Sequence, residues 1–276
     1  MSNVLFTMPG KIGDNLAKVP VIYQYWKQTG IKSDVCLDKE SYILKDFFSN
    51  QPWADNVFIS EGVTNYGFGG QPFDFGKDAE FRQKYKDVYH LGYKTNGEMP
   101  NIASTNLTEV ALAVSKCPID PLYLLSEPSI EFEKKKIKNL CIHIDTHEEF
   151  RAEPAKNTIL PILEDIMPYF ENIYFLGLFE NPSFYDEFKK FDNIKFFDDE
   201  GDLNKVVDLL SESLLIGTFS SMWVLASLMK IDQIVIRCPR INWTNKESSD
   251  KETWFDPYKF DDIKDLIKKI KKQNGI

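Results

Sequence analysis

The sequence predicts an α/β fold of two Rossmann-like domains, 1–130 and 131–276, facing a central cleft. Three observations predict it. Short apolar segments alternate with helical periodicity in two successive series. Loops bearing glycine or small hydroxyl residues follow several of the apolar segments, as at the strand ends of nucleotide-binding sheets. A charged run, Glu131 to Lys138, separates the two series and places the boundary between Ser126 and Lys138. A chain of 276 residues with 43% hydrophobic residues can fill two cores, which excludes a disordered chain.

The first series opens with a strand, Val4-Leu5-Phe6-Thr7-Met8. The residues ahead of it carry no basic run, so the start reads as a strand and not as a signal peptide. A two-glycine loop, Pro9 to Asn15, leads into a helix with Leu16, Val19, Ile22, Tyr23 and Trp26 on one stripe. Pro20 is tolerated there only near the first turn, and Gly30 is a natural stop. A strand at Ser33–Leu37 completes a β-α-β unit, which implies a parallel pair. A short helix at Ser41–Phe48, a strand at Asn56–Ile59, a long aromatic and glycine-rich loop at Tyr66–Phe73, a strand at Asp87–Leu91 and a helix at Leu107–Ser115 follow.

The second series reads in the same way. Strands are predicted at Asn139–Ile144, Asn172–Leu176, Ile194–Phe197, Leu214–Ile216 and Gln233–Cys238. Helices are predicted at Thr158–Phe170, interrupted by Pro161 and Pro168, and at Leu203–Ser211 and Ser221–Met229. The Ser221–Met229 helix is apolar nearly all round and is therefore buried. A closing helix at Ile263–Lys272 carries Lys268, Lys269, Lys271 and Lys272, a solvated face or a contact to anions.

Composition limits the function classes. The net charge of −9, with both signs interspersed, gives no long nucleic-acid footprint. No window approaches the roughly 20 apolar residues of a membrane span. Cys36, Cys117, Cys141 and Cys238 are widely spaced, which suits a reducing cytoplasm and argues against structural zinc.

Three loops could carry chemistry. Gly10-Lys11-Ile12-Gly13-Asp14-Asn15 lies between a strand and a helix, where glycines admit close approach and the helix end attracts anions. Lys11 and Gly13 are candidate phosphate or acceptor contacts. Asp14 either caps the helix or takes the proton from an attacking hydroxyl. In Ile216–Trp223, Thr218, Ser220 and Ser221 stand at a strand-to-helix junction, where a hydroxyl either caps the helix or holds a phosphate. In Asp145–Arg151, Thr146 and Arg151 could clamp a diphosphate, since Arg suits bidentate oxyanion contacts; a solvated loop is the alternative. His143 and His147 do not share a helix face, so a metal site is not expected there. No Asp-x-Asp spacing occurs, which argues against a metal-dependent sugar transferase.

These loops, in this order, resemble glycosyltransferase family nine, the ADP-heptose:lipopolysaccharide heptosyltransferase group. Gly13-Asp14, Leu16 and Pro20 are similar to that family's Gly-Asp pair followed by a leucine and a proline. Thr146 and Arg151 look like its Thr and Lys after the first strand of the second half. Phe175-Leu176-Gly177 with Glu180 is similar to its glycine-ended strand and ribose-binding acid. Phe219–Ala226 keeps a serine and the Leu-Ala ending of its last motif but lacks the Asp, Gly and His. The resemblance implies a GT-B fold and inverting sugar transfer without a metal or cofactor. It implies Asp14 as general base and donor contacts from Thr146, Arg151, Gly177, Glu180, Thr218, Ser220 and Ser221. The departure in the last motif leaves the donor open. The implied partners are a nucleotide sugar and a surface glycan or lipopolysaccharide acceptor. The alternatives are a hydroxymethylated DNA base as acceptor, a nucleotide-sugar epimerase, or a non-catalytic nucleotide-binding protein on the same scaffold.

Overall fold

A computed structural model describes residues 3–60, 83–92, 107–120, 127–144, 149–177, 186–198, 201–239 and 251–273, with backbone only at 107 and 149–151. The chain divides into two compact units. The first is built mainly from Met1–Glu131, the second from Phe132–Glu200, Asn204–Asn242 and Ser249–Ile276.

In the first unit β1 (Val4–Met8), β2 (Ser33–Leu37), β3 (Ala54–Ile59) and β4 (Asp87–His90) form a sheet of order β3-β2-β1-β4. Every pairing in it is parallel. β1 and β2 are buried along their whole length, as expected of strands covered on both faces. On one face Leu5 and Cys36 pack with Phe58, Tyr85 and Val88. On the other, Phe6 meets the rings of Tyr25 and Tyr89 at 5.5 and 5.3 Å.

The predicted Leu16–Trp26 helix is two helices. α1 (Ile12–Leu16) is a single short run, and α2 (Val19–Thr29) begins after a break at Ala17-Lys18. Pro20 occupies the first turn of α2, where its missing N–H costs nothing, and Gly30 ends α2 with φ +71°. The predicted Ser41–Phe48 helix is a 3-10 turn at Lys39–Ser41 followed by α3 (Leu44–Ser49). α4 (Leu107–Ser115) coincides with its prediction, whereas the Tyr66–Phe73 loop lies outside the described residues.

The second unit carries β5 (Asn139–His143), β6 (Asn172–Leu176), β7 (Ile194–Phe197), β8 (Ser213–Thr218), β9 (Gln233–Ile236) and β10 (Glu252–Phe255). All pair in parallel, in the order β10-β9-β8-β5-β6-β7. Counted within the unit, this is the doubly wound 3-2-1-4-5-6 order, whose topological switch point lies between the first and fourth strands, β5 and β8. β10 has no counterpart in the sequence reading.

Helices α5 (Glu149–Ile159), α6 (Leu163–Ile166), α7 (Leu203–Leu210), α8 (Ser221–Met229) and α9 (Phe260–Gln273) complete the unit. α5 begins well ahead of the predicted Thr158 start and contains Pro154. Pro154 lacks the amide that would bond four residues back, and one turn later Thr158 Oγ1 donates to the Pro154 carbonyl at 2.7 Å. Arg151, expected in a loop, is therefore on the first turn of α5. The core runs through Leu140, Ile142, Phe175, Leu214, Ile216 and Ile234, covered by Ala155 and Ile159 of α5 and by Ile263, Ile267 and Ile270 of α9. Among the described residues no helix is long and apolar enough to cross a membrane.

Candidate functional site

The loop after β1 is a small polar construction. Gly10 has φ +109°, and a Cβ there would lie 3.0 Å from Asp14 Cβ and 3.1 Å from Asp14 Oδ2. Only glycine takes that backbone angle without strain and leaves room for the carboxylate. The Lys11 N–H donates to Asp14 Oδ2 at 3.1 Å, so Asp14 reaches back over the start of α1. This satisfies one of the free amides of a helix start and fixes the carboxylate rotamer at the same time. Capping and chemistry are thus not competing descriptions of Asp14. Lys11 is exposed, while Gly13 and Asp14 are half-buried.

Beneath the loop lies a residue that sequence reading passed over. Lys18 is fully buried, and its ammonium donates to the Pro9 carbonyl and to Asn15 Oδ1, the latter at 3.3 Å. Burial pushes its pKa down to about 7, against the opposing pull of Asp14 and Asp38. Asn15 Nδ2 donates to the Gly10 carbonyl at 3.0 Å and to Ser41 Oγ at 2.8 Å, and Ser41 Oγ donates to the same carbonyl at 2.8 Å. One signal could have found Lys18: it stands four residues after Asp14 and just before an apolar helix start, among otherwise apolar neighbours.

At the switch edge of this sheet, His90 Nδ1 at the end of β4 meets Thr7 Oγ1 at 2.9 Å. The second unit repeats the device. His143 at the end of β5 is buried, and its Nδ1 lies 3.0 Å from Ser220 Oγ. His143 pairs across the sheet with Gly217, where a Cβ would fall 1.9 Å from the His143 carbonyl oxygen. Ser220 is the N-cap of α8 and accepts from the Trp223 N–H at 3.4 Å. The N–H groups of Ser221 and Met222 precede any intrahelical acceptor and point out of the helix start.

Other residues named from the sequence are placed as follows. Gly177 directly follows β6 at the same strand edge. Thr218 is buried, and its hydroxyl donates to the Ile236 carbonyl at 3.5 Å, so that side chain serves the sheet. Arg151 is placed by its backbone on α5, and Thr146, Glu180 and His147 lie outside the described residues. The described residues contain no cluster of three or more His, Cys, Asp or Glu able to hold a metal. An aromatic group missed from the sequence adjoins the α8 start. Phe219 lies 4.5 Å from Trp223, which lies 5.6 Å from Trp254, and the Arg237 guanidinium stands 6.0 Å over Trp254.

No family model and no curated protein sequence matches the chain. Solved structures do. ADP-heptose lipopolysaccharide heptosyltransferase II of E. coli superposes with a TM-score of 0.70 at 10% identity, covering 100% of each chain. The E. coli heptosyltransferase WaaC with ADP gives 0.66 at 10% identity, covering 97% of this chain and 99% of that one. A family 9 glycosyltransferase of Veillonella parvula gives 0.56 at 12% identity, over 96% and 89%. The fold is GT-B.

Within this GT-B chain, two of the three segments singled out from the sequence start at the C-terminal ends of strands, Gly10–Asn15 after β1 and Phe219–Ser221 after β8; of the third, Asp145–Arg151, only 149–151 are described, at the start of α5. The C-terminal edge is where parallel sheets bind ligands. The basic closing helix offers less free charge than its sequence suggested. Lys268 pairs with Asp265 at 3.2 Å, Lys264 pairs with Asp165 and Asp261 at 3.1 Å, and Lys271 is buried over Phe170.

Proposed function

We propose that the protein transfers a sugar from a nucleotide-sugar donor to an acceptor hydroxyl, with Asp14 as the base. The GT-B fold supports the reaction class. The observation that carries the proposal is the Gly10–Asp14 loop, where a half-buried carboxylate is oriented by a backbone N–H at the end of the first strand. Asp14 takes the proton of the acceptor hydroxyl as its oxygen bonds the anomeric carbon. The bond from that carbon to the phosphate oxygen breaks, and the nucleoside diphosphate leaves with the electron pair. Inversion follows from a single displacement on the face opposite the leaving group.

The second unit holds the donor. Ser220, Ser221 and the α8 start suit a diphosphate, since free N–H groups and a helix N-terminus stabilise negative charge that grows in the transition state. Arg151, on the first turn of α5, and Thr146 are the further candidates for that diphosphate. Gly177 and Glu180 are assigned to the nucleotide side and Lys11 and Gly13 to the acceptor side. A glycan acceptor is preferred to DNA on the net charge of −9; of the four lysines named on the closing helix, Lys268 pairs with Asp265 and Lys271 is buried, while Lys269 and Lys272 are exposed.

The test uses ADP-heptose, UDP-glucose and GDP-mannose as probes, first in a thermal-shift screen and then for release of the nucleoside diphosphate. Asp14→Asn is expected to keep the donor-induced rise in melting midpoint and to lose about 10²–10⁴-fold in turnover. Wild-type turnover in that variant removes Asp14 as base. No stabilisation by any of the three donors counts against the reaction class.

A further inference from the structure

We infer that Lys18 is a positioning residue for Asp14, acting through the two peptide planes of the Pro9–Gly10–Lys11 loop. This rests on the reading of Asp14 as base. A peptide unit is planar and trans, so its C=O and N–H point in opposite directions. The Gly10 carbonyl and the Lys11 N–H belong to one such unit. Asn15 and Ser41 hold the Gly10 carbonyl inward, at 3.0 and 2.8 Å. The Lys11 N–H must then face outward, where it meets Asp14 Oδ2 at 3.1 Å.

Lys18 sets the preceding unit. Its ammonium holds the Pro9 carbonyl inward and also fixes Asn15 through Oδ1 at 3.3 Å. With the Pro9–Gly10 plane pinned on one side and the Gly10–Lys11 plane on the other, Gly10 is driven to φ +109°. That turn brings its Cα under Asp14, where a Cβ would sit 3.0 Å from Asp14 Cβ and press on the carboxylate. The chain of constraint runs from Lys18 to Pro9, Gly10, the Lys11 amide and the carboxylate. Taking an ammonium wholly out of water is costly, and a hydrocarbon of equal length would fill the space without that penalty. A charged donor at this place is therefore explained by what it holds.

The experiment compares wild type with Lys18→Met, which keeps the length of the side chain and removes its donors. Amide hydrogen exchange is read at Lys11 and, as an internal control, at Phe6 in β1. Turnover is read on whichever of ADP-heptose, UDP-glucose and GDP-mannose stabilises the wild type. The expected result is at least tenfold faster exchange at Lys11 with Phe6 unchanged, and at least a tenfold fall in kcat with KM for the donor within twofold. Lys18→Gln retains an N–H donor and is expected to recover part of both. It also stands in where the Met variant does not fold: full turnover with an unprotected Lys11 amide then overturns the proposal. Wild-type exchange at Lys11 in Lys18→Met overturns it directly. If Lys18→Met turns over normally while Asp14→Asn is inactive, Lys18 is a space filler and the base assignment survives. If Asp14→Asn turns over normally, the base assignment fails, and Lys18 is no longer a positioning residue even where the exchange result shows that it shapes the loop.

Discussion

The two units solve one problem in two ways. Each has a parallel sheet with a switch point, and at each switch point a histidine Nδ1 meets a hydroxyl: His90 with Thr7, and His143 with Ser220. In the first unit the chain leaves β1 through a loop held from below by Lys18, Asn15 and Ser41, and what it presents is a carboxylate. In the second unit the chain leaves β8 through a cap at the start of a nine-residue helix, and what it presents are N–H donors. The first arrangement must resist an adverse conformation, so it needs buried polar posts. The second uses the ordinary geometry of a helix start, so it needs only glycine below and serine above. The sign of the chemistry follows: negative in one unit, positive in the other.

Glycine substitution probes this contrast with the largest effect. In Gly217→Ala the new Cβ would meet the His143 carbonyl oxygen at 1.9 Å, inside the β5–β8 ladder. Backbone on a buried strand cannot yield, so a loss of about 4 kcal/mol or more is expected, enough to unfold the unit. In Gly10→Ala the contacts are 3.0 and 3.1 Å to the Asp14 side chain, which can move, and the strain of φ +109° costs about 1–3 kcal/mol. That variant is expected to fold and to lose turnover. Urea denaturation of both, with circular dichroism, checks the order; equal stabilities would break the comparison.

The buried lysine gives the first unit a marked pH dependence, and in the second unit burial lowers Lys271 in the same direction. The Lys18 pKa is lowered to about 7 in the folded chain from 10.5, chiefly by burial. Between those values the unfolded chain binds more protons than the native one, so stability rises with pH. Below about pH 7 both forms hold the proton, and the penalty of the buried charge is felt in full. Cys117 and Cys141, pushed up to about 12 by burial, act in the opposite sense once unfolded thiols ionise near 9. The expected outcome is a rise in unfolding free energy from pH 7 to 9 that turns into a fall above, where two thiols outweigh one lysine. Lys18→Met should flatten that rise. A slope of the same size in the variant would assign the effect to other groups.

Much of this was legible in the sequence. Strands β1 to β9 and the α8 span Ser221–Met229 follow from periodicity, glycine and serine, which act locally. The Thr158 helix start was set too late because the run from Glu149 to Asn157 is largely polar, holds Pro154 and shows no apolar stripe. Strand β10 escaped because Glu252, buried beside Ser227 at 2.6 Å and Trp254 at 3.1 Å, reads as solvent-facing in sequence. Lys18 escaped for the same reason: a lysine is taken as exposed unless its partners are known, and the Pro9 carbonyl is brought to it only by the fold.

Ser220 offers the smallest effect and separates its two roles. Its Oγ caps α8 through the Trp223 N–H and touches His143 Nδ1, so Ser220→Ala should cost about 1 kcal/mol. For a unit of this size that is a fall of about 2–4 °C in melting midpoint. Ser221→Ala removes a hydroxyl without a capping bond and should leave the midpoint unchanged. If Ser220 is a cap alone, the further rise produced by a stabilising donor is the same in its variant as in wild type. If it also cradles the diphosphate, that rise shrinks in Ser220→Ala, because the donor loses affinity for the native state only. A donor-induced rise that shrinks in Ser221→Ala but not in Ser220→Ala would move the phosphate contact one residue into the helix and leave the cap purely structural.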